Sequence, residues 1–585
     1  MTPRWRSKSI PELSPAPTLV EKCTAAITTA VLPSLLIRNA LDASTFPGQP
    51  MGEGWGRIFA VEQVSRWWTG LASPMHADLI GFPEVVSFWP VDPLLTIPAS
   101  GVSLLLGPAQ AITLTVFLLL WVAGWGPWRL ARELGARPFP ALIAGIVVQT
   151  QPFLLRNAED TLMEMLAIGF AALAARGLVV AWSNTTVPNC LRAFGWALAL
   201  GLCSPYLTVY LCLGWALIAL TPAIRSQLKR YLTISAMLIL AAATAATPIA
   251  WLESGPHGRL QYEGGYGLHP DTLVLEVDNA PQVLRGAPRP APLTALIHPN
   301  ETQRAAPNAP PSDLQRTLVR FPGGIACVFA LIIGLMSNRG RSWGVLATAF
   351  FLLGPGPLLI ARTLGLPDPS WMPLQAALSL FPMGASLGNP QRMVLAFGLI
   401  ASIAGAMGSS ERKFGVFTWF GVTVLSVALT QPQLVLPACT LKDTTSLLES
   451  SDGAVITFPS GDPPIWNPGV PAKYDLALSA LHGNPVAYDY GRGRQRADAT
   501  FLYALSLKSQ VAVGQNENAY NEAGTQEMLL TLREKGFHRV LVLDHLMHQD
   551  ASKRAHRWLT STLGPPMHQN REHTVYAVPE APLSP

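Results

Sequence analysis

The stretch AFGWALALGLCSPYLTVYLCLGWALIALTP, Ala193–Pro222, decides how often the chain crosses a membrane. It is too long for one ordinary membrane helix, because a bilayer core of about 30 Å needs about 20 apolar residues. Pro205, within Ser204-Pro205-Tyr206, disfavours a continuous helix. Arg192 and Arg225 flank the stretch, and basic residues in short connections stay in the cytoplasm. Two short helices that meet near the outer face are therefore predicted.

The same reasoning extends to the rest of residues 1–432. Eleven apolar stretches are spaced through this part of the chain, and the short connections between them are basic on alternate sides. Because Lys and Arg in short loops resist translocation, the basic connections define the cytoplasmic side. The predicted spans are residues 19–38, 108–128, 138–155, 161–182, 193–204, 205–222, 231–252, 322–337, 343–361, 392–408 and 415–432. The amino terminus is then expected in the cytoplasm and the carboxyl terminus outside.

Composition supports an α-helical polytopic membrane protein and argues against a nucleic-acid partner. Of the 585 residues, 49% are hydrophobic and 13% are charged, whereas soluble domains carry about 25% charged residues. The net charge of +5 comes from the cytoplasmic connections, and no basic stripe or nucleic-acid motif is present. The polar start MTPRWRSKSIPELSPAP has no small-residue cleavage site, so the first span is expected to remain as an uncleaved anchor.

Three segments are expected on the outer side. Residues 40–107 form a long loop, whose apolar piece Pro93–Leu106 is expected at the membrane interface, and residues 254–321 form a second loop. Residues 433–585 alternate strand-like and helix-like runs, which predicts a soluble α/β domain separate from the membrane module of residues 1–432. The strand-like runs are Gly453–Pro459, Pro485–Tyr490, Arg539–Leu543 and Thr574–Val578, and the helix-like runs are Thr525–Lys535 and Asp550–Leu563.

The first outer loop holds residue types suited to sugar chemistry. It reads GEGWGRIFAVEQVSRWWTG from Gly52 to Gly70. The rings of Trp67 and Trp68 can stack on sugar faces, and the carboxylate of Glu53 can accept a proton from a hydroxyl. The alternative is that both tryptophans belong to the aromatic belt at the membrane surface and that Glu53 is a solvated charge.

A second acidic group lies in LLRNAEDTLMEML, Leu154–Leu166. Asp160 is expected at the outer mouth of two spans, with Glu164 one turn deeper on the same helix face at i+4. An ionisable residue within a span usually faces the bundle interior or a cavity. The alternative is an acid cluster at a helix N-terminus that complements the helix dipole, with Arg156 as the ion-pair partner of Glu159.

The second outer loop offers further aromatic rings. Its run RLQYEGGYGLHPD, Arg259–Asp271, contains Tyr262 and Tyr266. These rings can line a carbohydrate groove, and the neighbouring glycines permit a lid-like conformation.

The order of these pieces resembles that of a known superfamily. One span, an outer loop opening with Gly52-Glu53, a Trp-rich helix and a Pro-centred return are similar to bacterial integral-membrane glycosyltransferases of the GT-C superfamily. The break Ser204-Pro205-Tyr206, the run LSLFPMGASLGNPQRMVLAFGL (Leu378–Leu399) and the closing VYAVP (Val575–Pro579) are also similar. The likeness covers most of the chain, although Glu53 stands where the superfamily usually has Asp.

The resemblance implies transfer of a sugar from a polyprenyl-phosphate donor to a glycan, lipid or protein acceptor, at the outer face of a bacterial inner membrane. Glu53 would be the general base for inverting attack, and Asp160 and Glu164 would position the acceptor or a divalent cation. Arg392 would bind the donor phosphate, whose developing charge needs a cation. The alternative for Arg392 is a side chain that reaches towards lipid phosphates. Weaker candidates for the phosphate are Arg57, Arg66 and Arg362.

Two other functions fit parts of the pattern. A non-catalytic protein of the same architecture would serve as a scaffold or carrier-lipid binder in envelope-polysaccharide assembly, and the Glu at position 53 favours this somewhat. A transporter is the second alternative, although the chain shows no paired inverted repeats. A cavity that unites Glu53, Glu164 and Arg392 and opens sideways to lipid favours a transferase. A water-lined path through the bundle favours a transporter.

Reporter fusions test the predicted orientation. A fusion after residue 53, or one at the end of the tail, is expected to report an extracytoplasmic location, because the basic connections stay inside. A fusion after Arg339 is the matched control and is expected to report the cytoplasm. A cytoplasmic signal from residue 53 would contradict the predicted topology and remove Glu53 from any chemistry on the outer face.

Overall fold

The computed structural model is mostly α-helical. It describes residues 17–49, 53–80, 86–219, 227–254, 324–354, 356, 392–411, 413–430, 435–441, 448, 453–458, 474–486, 533–534, 536–546 and 549–578. The helices of the amino-terminal half are α1 (Leu19–Leu36), α2 (Gly54–Trp68), α3 (Pro93–Leu106), α4 (Pro108–Glu133), α5 (Pro138–Gln149), α6 (Pro152–Glu159), α7 (Met163–Leu166), α8 (Ile168–Ser183), α9 (Val187–Cys203), α10 (Pro205–Ala219) and α11 (Leu228–Ser254). Those that follow are α12 (Gly324–Leu335), α13 (Arg341–Leu353), α14 (Met393–Ser409), α15 (Lys413–Thr430), α16 (Tyr474–His482) and α17 (Gln549–Leu563).

The apolar helices make this chain a membrane protein. Within the described residues, four helices are long and apolar enough to cross a membrane, or five if the pair α5 and α6, bent by 44°, is one span. The four are Leu19–Leu36, Pro108–Glu133, Met163–Ser183 and Leu228–Trp251. A helix also lies in every one of the eleven predicted stretches. The number of crossings itself remains a prediction.

The predicted break in the stretch 193–222 is confirmed. Helix α9 ends at Cys203, Ser204 adopts an extended backbone (φ −158°, ψ 102°), and α10 begins at Pro205. Proline lacks an amide hydrogen and its ring clashes with the preceding turn, so α9 cannot continue through this position. The Ser204 hydroxyl accepts a hydrogen bond from the amide of Leu207 at 3.3 Å, which caps the new helix.

Helix α4 packs against α5, α8 and α1 at the centre of the bundle. Its contact with α8 is a backbone contact: a Cβ on Gly126 would lie 2.3 Å from the carbonyl oxygen of Gly169. A Cβ on Gly169 would lie 2.2 Å from the carbonyl oxygen of Val122. Small residues at such contacts let helices approach closely in a membrane, where dispersion forces replace the hydrophobic effect.

The first outer loop is a folded layer on this bundle. Helix α2 is buried along most of its length and packs against α3, α4 and α16. Helix α3 has the bounds predicted for the apolar piece, because Pro93 and Gly107 mark its two ends. The loop also holds three short strands, β1 (Thr45–Pro47), β2 (His76–Ala77) and β3 (Val86–Ser87), of which the last two pair antiparallel.

The tail carries a small mixed sheet. Strands β5 (Ala454–Phe458), β6 (Phe537–Leu543), β7 (His568–Gln569) and β8 (His573–Ala577) lie in the order β5-β6-β8-β7, with only β5 and β6 parallel. Three of these strands, together with α17, lie where the sequence predicted strands and a helix. The predicted run Thr525–Lys535 lies largely outside the described residues. Strand β4 (Ala438–Thr440) is not part of this sheet; it pairs antiparallel with β1.

A methyl group at the α4–α8 contact is expected to destabilise the bundle. Gly169→Ala would force the two backbones apart, and overpacking of this kind costs about 1–3 kcal/mol. Gly195→Ala is the matched control, because a Cβ on this helical glycine meets nothing within 4 Å. Thermal unfolding in detergent is expected to show a lower Tm for Gly169→Ala only. Equal Tm values for the two variants would contradict the close contact.

Candidate functional site

The turn after α6 separates the two acids of the Leu154–Leu166 segment. Helix α6 ends at Glu159, Thr161 has a positive φ of 56°, and α7 begins at Met163. The expectation that Asp160 and Glu164 lie at i+4 on one helix face is therefore wrong, because the left-handed Thr161 interrupts the helix. The two carboxylates belong to two neighbouring parts of the site.

Glu53 packs against this turn, although it belongs to the segment before α2. Its backbone amide donates a hydrogen bond to the carbonyl oxygen of Asp160 at 2.8 Å. The backbone amide of Gln49 donates to the carbonyl oxygen of Glu159, also at 2.8 Å. The Gln49 side-chain amide also donates to the Asp160 carboxylate. A Cβ on Gly54 would lie 2.5 Å from the Phe46 ring, so this glycine permits the close approach. The first-loop acid and Asp160 are thereby brought together, as the proposed chemistry of the sequence requires.

Asp160 is a buried carboxyl, only 6% exposed, among other charges. Burial raises its pKa to about 6, and the neighbouring charges of Glu159 and Glu53 add to this, while Arg156 and Gln49 oppose it. Arg156 forms a 2.7 Å ion pair with Glu159 and lies 3.7 Å from Asp160. The predicted ion pair of Arg156 with Glu159 is therefore confirmed. The acids stand at the C-terminal end of α6, so the helix dipole does not favour them.

One turn along α2, the buried Arg57 joins three elements. Its guanidinium donates to the Asp92 carboxylate at 2.7 Å and also to the carboxylate of Glu164. Asp92 is fully buried and accepts a second hydrogen bond from the Thr96 hydroxyl at 2.6 Å. Burial raises the pKa of Asp92, against the lowering effect of Arg57. The sequence analysis did not single out Asp92, although an Asp directly before a helix-starting proline marks a helix boundary.

Arg392 lies beside this ion-pair group, at the start of α14. Its guanidinium lies 4.1 Å from the ring centroid of Tyr206, the second residue of α10. It interacts electrostatically with Glu164 and Tyr210. Its Nη1 atom is buried, and among the described residues it has no hydrogen-bond partner. The break at Ser204 thus brings Tyr206 to an arginine whose Nη1 has no partner among the residues that the structure describes.

An apolar cavity of about 100 Å³ lies between α8, α10, α13 and α14. Its wall is formed mainly by aliphatic and aromatic side chains, among them Leu207, Trp343, Phe350 and Ile400. Tyr210 also lines it and interacts electrostatically with Arg392. Glu53, Glu164 and Arg392 are not among its lining residues, so this cavity does not unite them.

The two tryptophans of α2 lie far from Glu53. The fifteen residues of α2 rise about 1.5 Å each, which places both rings roughly 20 Å along the helix. Trp67 stacks on Trp89 with centroids 6.0 Å apart, while Trp68 is 61% exposed and donates to the Ser100 hydroxyl at 2.9 Å. The structure therefore does not bring these rings to the carboxylates. Tyr262, Tyr266 and Arg362 lie outside the described residues.

The carboxylates near the turn have the right chemistry for a hard divalent cation. Mg²⁺ prefers oxygen ligands and usually keeps several waters beside one or two carboxylates. Of the two acids that the resemblance assigns to such an ion, Asp160 lies at the turn and interacts with Glu53, whereas Glu164 is the ion-pair partner of Arg57. In the part of the chain that the structure describes, no group of three or more His, Cys, Asp and Glu side chains is placed to ligate a metal.

Comparison with known proteins shows the fold. No protein-family model matches the chain, and no curated protein does. The arabinofuranosyltransferase AftD from Mycobacteria has a TM-score of 0.57 at 14% identity, over 97% of this chain and 40% of AftD. An oligosaccharyltransferase from Archaeoglobus fulgidus has a TM-score of 0.48 at 11% identity, over 89% of this chain and 69% of its own. ArnT from Cupriavidus metallidurans, bound to undecaprenyl phosphate, has a TM-score of 0.38 at 12% identity, over 97% of this chain and 100% of ArnT.

The chain therefore has the same fold as AftD, a membrane arabinofuranosyltransferase, and the resemblance seen in the sequence is confirmed at the level of the fold. The AftD likeness, at 14% identity, shows the fold alone. The chain spans about two fifths of the length of AftD, since it covers 40% of it.

The raised pKa of Asp160 predicts a pH-dependent stability. Because this pKa is about 6 rather than 3.8, the stability contributed by the protonated group is lost as pH rises through this window. Above pH 6, Asp160→Asn is expected to have a higher Tm than the wild type, because its free energy of unfolding is larger by on the order of 2–3 kcal/mol. The Tm values of Asp160→Asn and the wild type, measured as a function of pH, should converge near pH 4. The control, Asp78→Asn, changes a half-exposed carboxylate in a surface ion pair and is expected to leave Tm close to the wild-type value.

Proposed function

We propose that this protein is a membrane glycosyltransferase that uses a polyprenyl-phosphate-linked sugar on the outer face of a bacterial inner membrane, with its tail in the periplasm. The acceptor is a glycan, a lipid or a protein. The observation that carries the proposal is the arrangement around Arg57. Glu53 lies one helical turn before Arg57 and interacts with Asp160, and the Arg57 partner Glu164 interacts with Arg392, whose neighbour Tyr210 lines an apolar cavity. The fold of AftD, an arabinofuranosyltransferase, supports the same class of reaction.

The donor fits the basic side of the site. A prenyl chain would occupy the apolar cavity, since each buried CH₂ contributes about 0.8 kcal/mol. Its phosphate would meet Arg392, whose planar guanidinium presents several donors to phosphate oxygens. Tyr206 already holds one face of this guanidinium and leaves the buried Nη1 available among the described residues. The phosphate is the leaving group, so the same arginine stabilises the charge that develops on it.

The acceptor fits the acidic side. Glu53 takes the proton from the acceptor hydroxyl as the hydroxyl oxygen bonds to the anomeric carbon. The bond from that carbon to the phosphate oxygen breaks, its electrons stay on the phosphate, and the configuration inverts. Asp160 and Glu164 position the acceptor or a cation, and Glu164 also holds Arg57 in place. The glutamate at position 53 reaches one methylene further than an aspartate, which allows the acceptor to lie further from α2.

A carrier-lipid binder without transferase activity is the second candidate. The cavity and Arg392 favour it, because these two features alone suffice to hold a prenyl phosphate. The two functions differ only in whether Glu53 completes a reaction. A transfer assay therefore separates them.

Transfer by purified protein in lipid, against a panel of polyprenyl-phosphate sugars, tests the proposal. Glu53→Gln is expected to lower kcat about 10²–10⁴-fold, because the amide cannot accept the proton. Donor binding is expected to persist, since the cavity and Arg392 are unchanged. Glu62→Gln is the matched control on the same helix and should retain full activity. Undiminished turnover by Glu53→Gln would remove Glu53 from the mechanism, and donor binding without turnover by the wild type would favour the lipid binder.

A further inference from the structure

The ring of Trp55 connects the start of α2 to the tail. Trp55 follows Glu53 by two residues and is 4% exposed. Its ring makes an edge contact with Phe46, with centroids 5.1 Å apart, and another with Tyr474, with centroids 4.6 Å apart. Tyr474 is the first residue of α16, beyond the last membrane helix. The first turn of α2 is therefore held by an aromatic side chain from the tail.

Tyr474 is itself fixed by the sheet of the tail. Its hydroxyl lies 3.3 Å from Nε2 of His545. The other ring nitrogen, Nδ1, lies 3.1 Å from the carbonyl oxygen of Glu572 and must donate to it, so Nε2 accepts from the tyrosine. The His545 ring also contacts His573 of β8, with centroids 4.9 Å apart. We call Trp55, Tyr474 and His545 the aromatic link.

The tail holds the first outer loop at a second point, before Glu53. Strand β1 pairs with β4, with Phe46 opposite Cys439. The amide of Gly48 donates to the carbonyl oxygen of Pro437 at 2.8 Å. Phe46 belongs to both contacts, since it pairs with β4 and packs on Trp55. Contacts with the tail therefore lie on both sides of Glu53 along the chain.

We propose that the tail positions the Glu53 carboxylate for sugar transfer, through the aromatic link and the β1–β4 pair. The inference rests on the proposed function and adds positioning residues to it, Trp55 and Tyr474, neither of which contacts the reacting atoms. A general base must lie within hydrogen-bond distance of the proton that it removes. A displacement of about 1 Å costs on the order of 10²-fold in rate. The link acts on this distance because it fixes the first turn of α2.

Three variants test the link in full-length protein. Tyr474→Leu removes the ring contact with Trp55, while Tyr474→Phe keeps the ring and removes only the hydrogen bond to His545. Leu559→Ala is the control, because this buried leucine lies on α17, which packs on β8 rather than on α2. Each variant is measured for kcat, for KM of the donor, and for amide hydrogen exchange in peptides covering Glu53–Arg57.

Tyr474→Leu is expected to lower kcat about 10–100-fold, with the donor KM within about 2-fold of the wild type, because Arg392 and the cavity are intact. Exchange at Glu53–Arg57 should rise in the same variant. Tyr474→Phe should restore kcat to within about 3-fold, since the ring contact remains. Leu559→Ala should leave both readouts unchanged at temperatures below its Tm.

Unchanged exchange at Glu53–Arg57 in Tyr474→Leu would overturn the inference, as would an equal loss of kcat in Leu559→Ala. A rise in exchange without any fall in kcat would also overturn it, because the link would then hold α2 without affecting the base. If the wild type transfers no sugar from any donor, the proposed function fails. The exchange comparison still decides whether the tail holds the start of α2.

Discussion

The burial of one cation organises the part of this protein that is built from α2, α3 and α7. A buried charge that loses its partner is strongly destabilising, so the elements that supply the partners must stay together. Arg57 is 6% exposed and takes its partners from two other elements, Asp92 before α3 and Glu164 in α7. Helix α2 is thereby fixed against the bundle at its first turns. The positions of Glu53, one turn earlier, and of Arg392, which shares Glu164, follow from this ion-pair group.

The proposed transfer reaction needs two opposite charges in one site. A base that removes a proton works as an anion, whereas a departing phosphate needs a cation. Arg57 pairs with two carboxylates, Asp92 and Glu164, so this group holds one more carboxylate than cations. Arg392 interacts electrostatically with Glu164, whereas Glu53 interacts with Asp160. In the proposed reaction the acceptor would bind at Glu53 and Asp160, and the donor phosphate at Arg392.

Much of the fold could be predicted because it depends on residues close together in the sequence. The site was harder to predict because it depends on contacts between residues far apart in the sequence. The break at Ser204 and the bounds of α3 follow from prolines and from the length of apolar runs, which the sequence shows directly. Asp92 was missed because its partner, Arg57, belongs to another helix, and no local pattern reveals a tertiary ion pair. The left-handed Thr161 was missed because the acids around it fit a helical spacing equally well. The contact of Glu53 with Asp160 joins residues more than one hundred positions apart, and no local pattern predicted it.

The pairing of β1 with β4 has a consequence for biosynthesis. Residues 45–47 leave the ribosome long before residues 438–440, yet they form one two-stranded sheet. The first outer loop therefore cannot reach its final form until the last membrane helix has been inserted and the chain beyond it has crossed to the same side. Domains generally fold in order during synthesis, but here the segment around residues 45–47 must wait until residues 438–440 have been synthesised. A nascent chain would expose Phe46 and Trp55 for most of that time, so membrane insertion is completed before the site is assembled.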